Sequence, residues 1–413
     1  MMEYFNCISL KEAERLILNE LAGLIVGSEQ VSLVDSLGRI AAGDVVSKED
    51  LPPFSRSTVD GFAVRGMDSF GAGEGVPALF DIVGEVVMGE QTFIQLKPGQ
   101  AVTIPTGGML PIGADAVVMI EHVERPDKDN LLVLKAVAPG ENVVLKGEDI
   151  SIGRQLLSQG RKIFPQDIGA LAACGCVVVP VRQKPEVVII STGDEVVDIE
   201  CTPVSGQIRD INSYALAAML EDNGCIVRRY GIVKDQYEEL LAALSQAVLC
   251  CNMVIVSGGS SVGVRDHTVR VIKELGKSNV LFHGVAVKPG KPTIFGMVGK
   301  VPVFGLPGHP VAAMTVFGQI VKPAIQILLG QAIRDIYTIP ARLSRSMASV
   351  PGRDDFIRVQ LIKKSNEYWA EPVLGKSGLI STMSAADGIV HIPADKGGLY
   401  SEEMVQVELI TKQ

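Results

Sequence analysis

Between residues 184 and 332 the chain repeats one unit: an apolar strand, a loop of glycines and hydroxyls, then an amphipathic helix. Glu186–Ser191 reads as a strand that runs into Thr192-Gly193-Asp194-Glu195. A helix follows around Ser213–Asn223 and ends at Gly224, because glycine takes the left-handed cap most readily. Cys225–Val233 is the next strand, and Asp235 with Glu238 has the pattern of a capping box for the helix beyond it. Met253–Ser257 ends in Gly258-Gly259-Ser260-Ser261, and Asp266 opens a further helix that Gly276 stops. Strands that alternate with helices pair in parallel through right-handed crossovers. The region 184–332 is therefore predicted to be an α/β domain with a mostly parallel sheet.

The flanking segments have other periodicities. Leu10, Ala13, Leu16, Ile17, Leu21 and Leu24 share one helical face in the stretch 8–26. From Leu51 to about Val144, short β-rich runs (80–87, 101–104, 114–122 and 131–136) alternate with Gly and Pro turns, the pattern of a small β domain. Mixed character returns over 145–183, with a helix expected from Pro165 to Cys174 and a strand over 176–181. The chain thus divides into an elongated N-terminal mixed domain (1–50 plus 145–183), an inserted β domain (51–144), the α/β domain (184–332) and a C-terminal β barrel (333–413). The expected class is α/β and β multidomain.

A length of 413 residues suits that division, since domains usually hold roughly 100–150 residues. The net charge of -9 argues against nucleic acid as a partner, because no basic surplus exists to neutralise a phosphate backbone. No apolar run reaches the ~20 residues that span a bilayer. Glu3 and Asn6 are foreign to a signal peptide, so a cytoplasmic protein without membrane attachment is expected. Seven cysteines, an odd number with no zinc-like spacing, read as reduced structural thiols.

Ligands of open parallel sheets bind beyond the carboxyl ends of the strands. Three loops fall there: 191–195, 257–263 and 305–310, the last holding Pro307, His309 and Pro310. Glycine lets backbone N–H groups approach an anion, and a helix N-terminus adds positive potential. Val287-Lys288-Pro289-Gly290-Lys291-Pro292 sets two ammonium groups on a rigid turn, either to capture an oxyanion or as a solvated hairpin. Asp194, Glu195 and Asp266 are carboxylates suited to Mg²⁺ beside phosphate oxygens; a solvated turn and a helix cap are the plainer alternatives. Loops 52–63 and 105–111 are too rich in Pro, Gly and polar residues to be simple strands.

Taken in order, these segments stop being generic. PPFSRSTVDGFAV (52–64), PTGGMLPIGADAVVMIE (105–121), GEDIS (147–151), STGDE (191–195), SGGSSVG with Asp266 (257–266), KPGKP (288–292) and GLPGHPV (305–311) resemble the ordered motifs of the MoeA family of molybdopterin molybdenumtransferases. The corresponding domain of gephyrin has the same pattern. The resemblance covers nearly the whole chain.

The resemblance implies an elongated homodimer whose cleft lies between the α/β domain of one subunit and the β domain of the other. It implies conversion of adenylylated molybdopterin and molybdate to the molybdenum cofactor, with release of AMP and help from Mg²⁺. A transient contact with the pterin-adenylylating protein would accompany that role. By motif, Asp60 and Thr106 would come from the neighbouring subunit. Asp194, Glu195 and Asp266 would serve Mg²⁺ and the phosphoanhydride. Thr192, Gly193, Ser257, Gly258, Gly259, Ser260, Pro307 and Pro310 would bind nucleotide and pterin phosphate, and Lys288, Lys291, Arg353 and Ser384 would line the molybdate pocket. Two departures stand out: His309 where relatives often carry Asn, and Ala312 where they carry Ser. Before Gly147, a run of arginines common in relatives is replaced by Val143-Val144-Leu145-Lys146. A pterin-binding scaffold without turnover and a tungstate-preferring paralogue are the alternative readings.

Overall fold

The computed structural model describes residues 7–258, 262–276, 280–331, 337–364 and 366–410; the side chains of 262–266 are outside the description. In the α/β region the chain forms β1 (Glu186–Thr192), α1 (Asn212–Asp222), β2 (Ile226–Val233), α2 (Tyr237–Ala247), β3 (Met253–Gly258) and α3 (Val262–Leu275). It continues through β4 (Val280–His283), β5 (Val287–Lys288), β6 (Ile294–Val298), β7 (Val301–Pro307) and α4 (Pro310–Val316). The six-stranded sheet has the order β2-β1-β3-β7-β6-β4. Neighbours from β2 to β7 are parallel, and β6 and β4 complete the sheet antiparallel.

Burial explains why β1 reads as an unbroken apolar run. Val187 and Ile189 face one core with Leu216 and Leu220 of α1, while Val188 and Ile190 face another with Leu240 and Leu244 of α2. A strand covered on both faces has no polar side to alternate with. Truncating one of these positions, as in Ile189→Ala, would cost about 2–5 kcal/mol.

The helical run Pro310–Leu328 is 19 residues long and apolar enough to span a bilayer by composition. It is instead a core helix: Val316, Phe317, Ile320, Val321, Ile325 and Leu328 all lie in the first core. Its middle turn, Phe317–Val321, widens to π geometry just before Pro323, whose missing N–H removes one ordinary helix hydrogen bond.

The opening helix Leu10–Leu21 buries Leu10, Ala13, Ile17 and Leu21 against the same core, and the Ser9 hydroxyl accepts from the Glu12 N–H. Ser28–Ser32 pairs antiparallel with Val178–Arg182, and Val45–Val46 with Gln155–Leu157. The six-stranded sheet of the β region runs between those pairings, with Phe62, Phe80 and Leu131 in its core. In the C-terminal region β8 (Asp354–Lys364) pairs with Glu367–Pro372 on one side and Gly388–Ile392 on the other. Thr338–Leu343 and Met404–Leu409 complete the ring, so the sheet closes as a barrel.

Two local expectations are corrected. Asp235 does not cap α2: Gln236 occupies that place, no side chain caps it, and Gln236 N–H turns back to the Lys234 carbonyl. The end of β2 lies beside the end of β1, and Asp235 is tied to Asp194 there instead. Asp266 does not open α3 either, because that helix begins at Val262.

Candidate active site at the carboxyl edge of the sheet

Register places the site loops. Thr192 pairs with Val233 on one side and Gly258 on the other, and Gly258 pairs with Pro307. One row of backbone thus crosses four strands, and the loops after Thr192, Val233, Gly258 and Pro307 all leave from it. Position 258 has to be glycine, because a Cβ there would sit 1.8 Å from Thr192 Oγ1 and 2.5 Å from the Thr192 carbonyl oxygen. Thr192 Oγ1 itself is buried and has no hydrogen-bond partner among the described residues.

A second layer braces this edge. Asp210 is buried; one carboxylate oxygen accepts from Ser191 Oγ at 2.7 Å, and the other from the Ser213 N–H at 3.0 Å. That satisfies an orphan amide at the start of α1. Asn212 Nδ2 donates to Ser257 Oγ at 2.9 Å and to the Gly308 carbonyl at 3.0 Å. One side chain therefore links α1 to the loops after β3 and β7.

Carboxylates gather at the exposed side of the row. The Asp235 N–H donates to Asp194 Oδ1 at 3.2 Å, and Asp235 Oδ1 is buried without a partner among the described residues. Burial, reinforced by the charges of Asp194 and Glu195, pushes the Asp235 carboxyl up to about 6; His267 opposes the shift. His267 Nδ1 is likewise buried and unpaired among the described residues. Among the described residues no group of three or more His, Cys, Asp or Glu side chains is placed to hold a metal ion. Mg²⁺ does not require such a group, since it keeps waters and takes one or two carboxylates plus substrate phosphates. Accumulated negative charge around an unpartnered carboxylate oxygen fits a cation. The side chain of Asp266, and all of Gly259 and Ser260, lie outside the described residues.

The two-lysine turn is held by two domains. Thr293 Oγ1 donates to the Gly290 carbonyl at 2.7 Å, and the Thr293 N–H to the Lys291 carbonyl. Gly290 has φ +125°, and a Cβ there would meet Val316 Cγ2 at 2.3 Å, so only glycine lets this turn pack on the helical run. β5 pairs in parallel with β8, setting Lys288 opposite Asp355. Arg353, two residues before it, donates to the same carboxylate. Lys288 and Arg353, far apart in the chain, are thereby neighbours. Ser384 is exposed at the end of the short helix Ser381–Ser384. The loop before that helix docks at the start of α4: Ser377 Oγ and His309 Nδ1 are 2.9 Å apart, and the Val311 N–H donates to the Ser377 carbonyl. Arg358 anchors the loop through the Gly375 carbonyl at 3.0 Å.

Asp60 and Thr106, on separate loops of the β region, form a pair. Thr106 donates to Asp60 Oδ1 through its N–H at 2.7 Å and its hydroxyl at 3.0 Å. Those donations, the amide first, hold the Asp60 carboxyl below its ordinary range.

Sequence reasoning passed over Asp210, Asn212, Asp355 and Ser377, and read Asp235 as a cap. Only Asp210 carried a local signal, an acidic residue ahead of an apolar helix. The other partners come from distant segments.

Comparison with known proteins agrees with the motif order. Family models match residues 8–175 ("MoeA N-terminal region (domain I and II)"), 188–327 ("Probable molybdopterin binding domain") and 340–410 ("MoeA C-terminal region (domain IV)"). A molybdopterin molybdenumtransferase of Bacillus subtilis is 33% identical, covering 94% of this chain and 90% of its own. One from Mycobacterium tuberculosis is 32% identical, covering 93% and 95%. A crystal structure of a molybdopterin biosynthesis MoeA protein from Pyrococcus horikoshii superposes with a TM-score of 0.85 at 38% identity, over 99% of this chain and 100% of that one. Matches of this extent, over nearly the whole length and in the same fold, mean that the chain belongs to the MoeA family.

Proposed function

We propose that this chain is a molybdopterin molybdenumtransferase, which takes adenylylated molybdopterin and molybdate, releases AMP and yields the molybdenum cofactor. One observation carries the reading: a single backbone row across four strands sets an anion-accepting edge beside clustered carboxylates. Relatives of similar length are named for this activity.

The loops that leave the row Thr192–Gly258–Pro307 would offer backbone and hydroxyl donors to phosphate oxygens. Asp194 and Glu195, with Asp266, would hold Mg²⁺, and the Asp235 carboxyl adds negative charge beside them. That ion, when bound, supplies charge neutralisation for a phosphoanhydride and its AMP leaving group. The protein's own part is alignment: cleavage of such a bond needs positioning and charge stabilisation more than a nucleophile. Lys288, Lys291 and Arg353 are the donors for molybdate, a dianionic tetrahedral oxyanion. Thr106 holds Asp60 ionised and oriented, and in a homodimer this pair would enter the cleft of the neighbouring subunit. A cytoplasmic enzyme that meets its adenylylating partner transiently completes the reading.

The test is AMP release from adenylylated molybdopterin by purified protein with Mg²⁺. Release should require molybdate, and Glu195→Ala should abolish it without lowering the melting temperature. Release that ignores molybdate, or that survives in Glu195→Ala, contradicts the proposal.

A further inference from the structure

We infer that Asp355 is a positioning residue for oxyanion binding, aiming Lys288 and Arg353 into one pocket; this rests on the assignment of those cations to molybdate. Asp355 is only 3% exposed, although it stands in a strand next to a solvent-facing turn. Its Oδ1 accepts from Arg353 Nε at 2.8 Å, and its Oδ2 from Arg353 Nη2 at 3.4 Å. The same Oδ2 lies 3.8 Å from Lys288 Nζ. Two cations from different domains therefore converge on one buried anion.

Backbone geometry makes this convergence specific. Lys288 is paired with Asp355 in the parallel ladder, and the Asp354 N–H donates to the Ala286 carbonyl at 2.9 Å. The carboxylate is thus fixed to the turn that carries Lys288. Gripped along its Nε edge, the Arg353 guanidinium keeps its remaining N–H groups free for another acceptor. Lys288, with its flexible stem and exposed side chain, gains a preferred direction that an unpartnered lysine lacks.

A charge count sharpens the point. At this cluster Lys288 and Arg353 carry two positive charges and Asp355 one negative charge, leaving a positive surplus beside a dianion. If Asp355 acted only through its charge, it would repel the oxyanion, and removing it would tighten binding. If it positions the two cations, removing it weakens binding. The two roles differ in sign.

The experiment is calorimetric titration of molybdate into the full-length wild type, Lys288→Ala, Asp355→Asn and Asp355→Glu, with AMP binding and thermal midpoint as controls. Positioning predicts that Asp355→Asn weakens molybdate by about ten- to hundredfold, the loss expected for a hydrogen bond to a charged group, with AMP affinity unchanged. Asp355→Glu, which keeps the charge but displaces the carboxylate, should also weaken molybdate and keeps the test open if the Asn variant does not fold. Steady-state kinetics should show the change in the molybdate KM before kcat. Tighter or unchanged molybdate binding in the folded variants, with Lys288→Ala weakened, overturns the role of Asp355 alone. Unchanged binding in Lys288→Ala overturns the pocket assignment and this inference with it.

Discussion

Asp235→Asn should stabilise the protein while damaging its function. In the folded chain the Asp235 carboxyl is pushed from 3.8 to about 6 by burial and by Asp194 and Glu195. A raised carboxyl pKa means that the folded state binds a proton the unfolded state has released. Below the unfolded value both states are protonated and the penalty is absent. It grows as pH rises from about 4 to about 6 and is complete above that. Two pKa units correspond to about 3 kcal/mol, and solvent screening of a partly buried group reduces this to roughly 1–2 kcal/mol. Asparagine carries no charge and escapes the penalty. Without divalent cations its thermal midpoint at pH 7.5 should exceed that of wild type by roughly 2–8 °C, at about 2–4 °C per kcal/mol. At pH 4 the two midpoints should nearly coincide. Saturating Mg²⁺ should raise the wild type more than the variant, because a ligand of the folded state stabilises in proportion to its affinity. Differential scanning fluorimetry across pH, with and without MgCl₂, reads all three. A variant less stable than wild type at pH 7.5, or an advantage independent of pH, refutes the reasoning.

Three further outcomes follow from the same geometry. Asn212→Ala removes the side chain that joins Ser257 to the Gly308 carbonyl; leaving buried groups unpaired costs about 1–3 kcal/mol, seen as a lower urea midpoint. Thr106→Val deletes the hydroxyl donated to Asp60 in an exposed pair, so the melting temperature should hold within the error of scanning fluorimetry while AMP release falls at least about tenfold. Lys291→Ala should raise the molybdate concentration needed for half-maximal AMP release more than it weakens AMP binding, measured by titrating each separately.

How legible the fold was depended on how local its causes are. Apolar β1 and β3, the glycine-stopped helices and the turns of the β region are written in contiguous residues, so their existence and type could be read directly. Element ends moved by a few residues, as with α3, which begins four residues before Asp266. The site was legible as a set of loops but not as an arrangement. Asp235 has the sequence signature of a cap, yet the neighbouring end of β1 offers Asp194 and a shared charge cluster. Likewise, the pairing of Lys288 with Asp355 depends on a two-residue strand meeting another domain, and no periodicity announces that. The Asp60–Thr106 bond required two loops to close on each other. In each case the decisive partner is distant in sequence and close only through sheet register.

A crystal soaked with AMP, MgCl₂ and molybdate would locate each charge against its proposed holder. The account predicts anomalous scattering from the tetrahedral oxyanion beside Lys288, Lys291 and Arg353, with the AMP phosphate at the Gly258 edge and Asp60 arriving from a second subunit. Molybdate bound away from the two-lysine turn, or AMP away from the strand-end row, would contradict it.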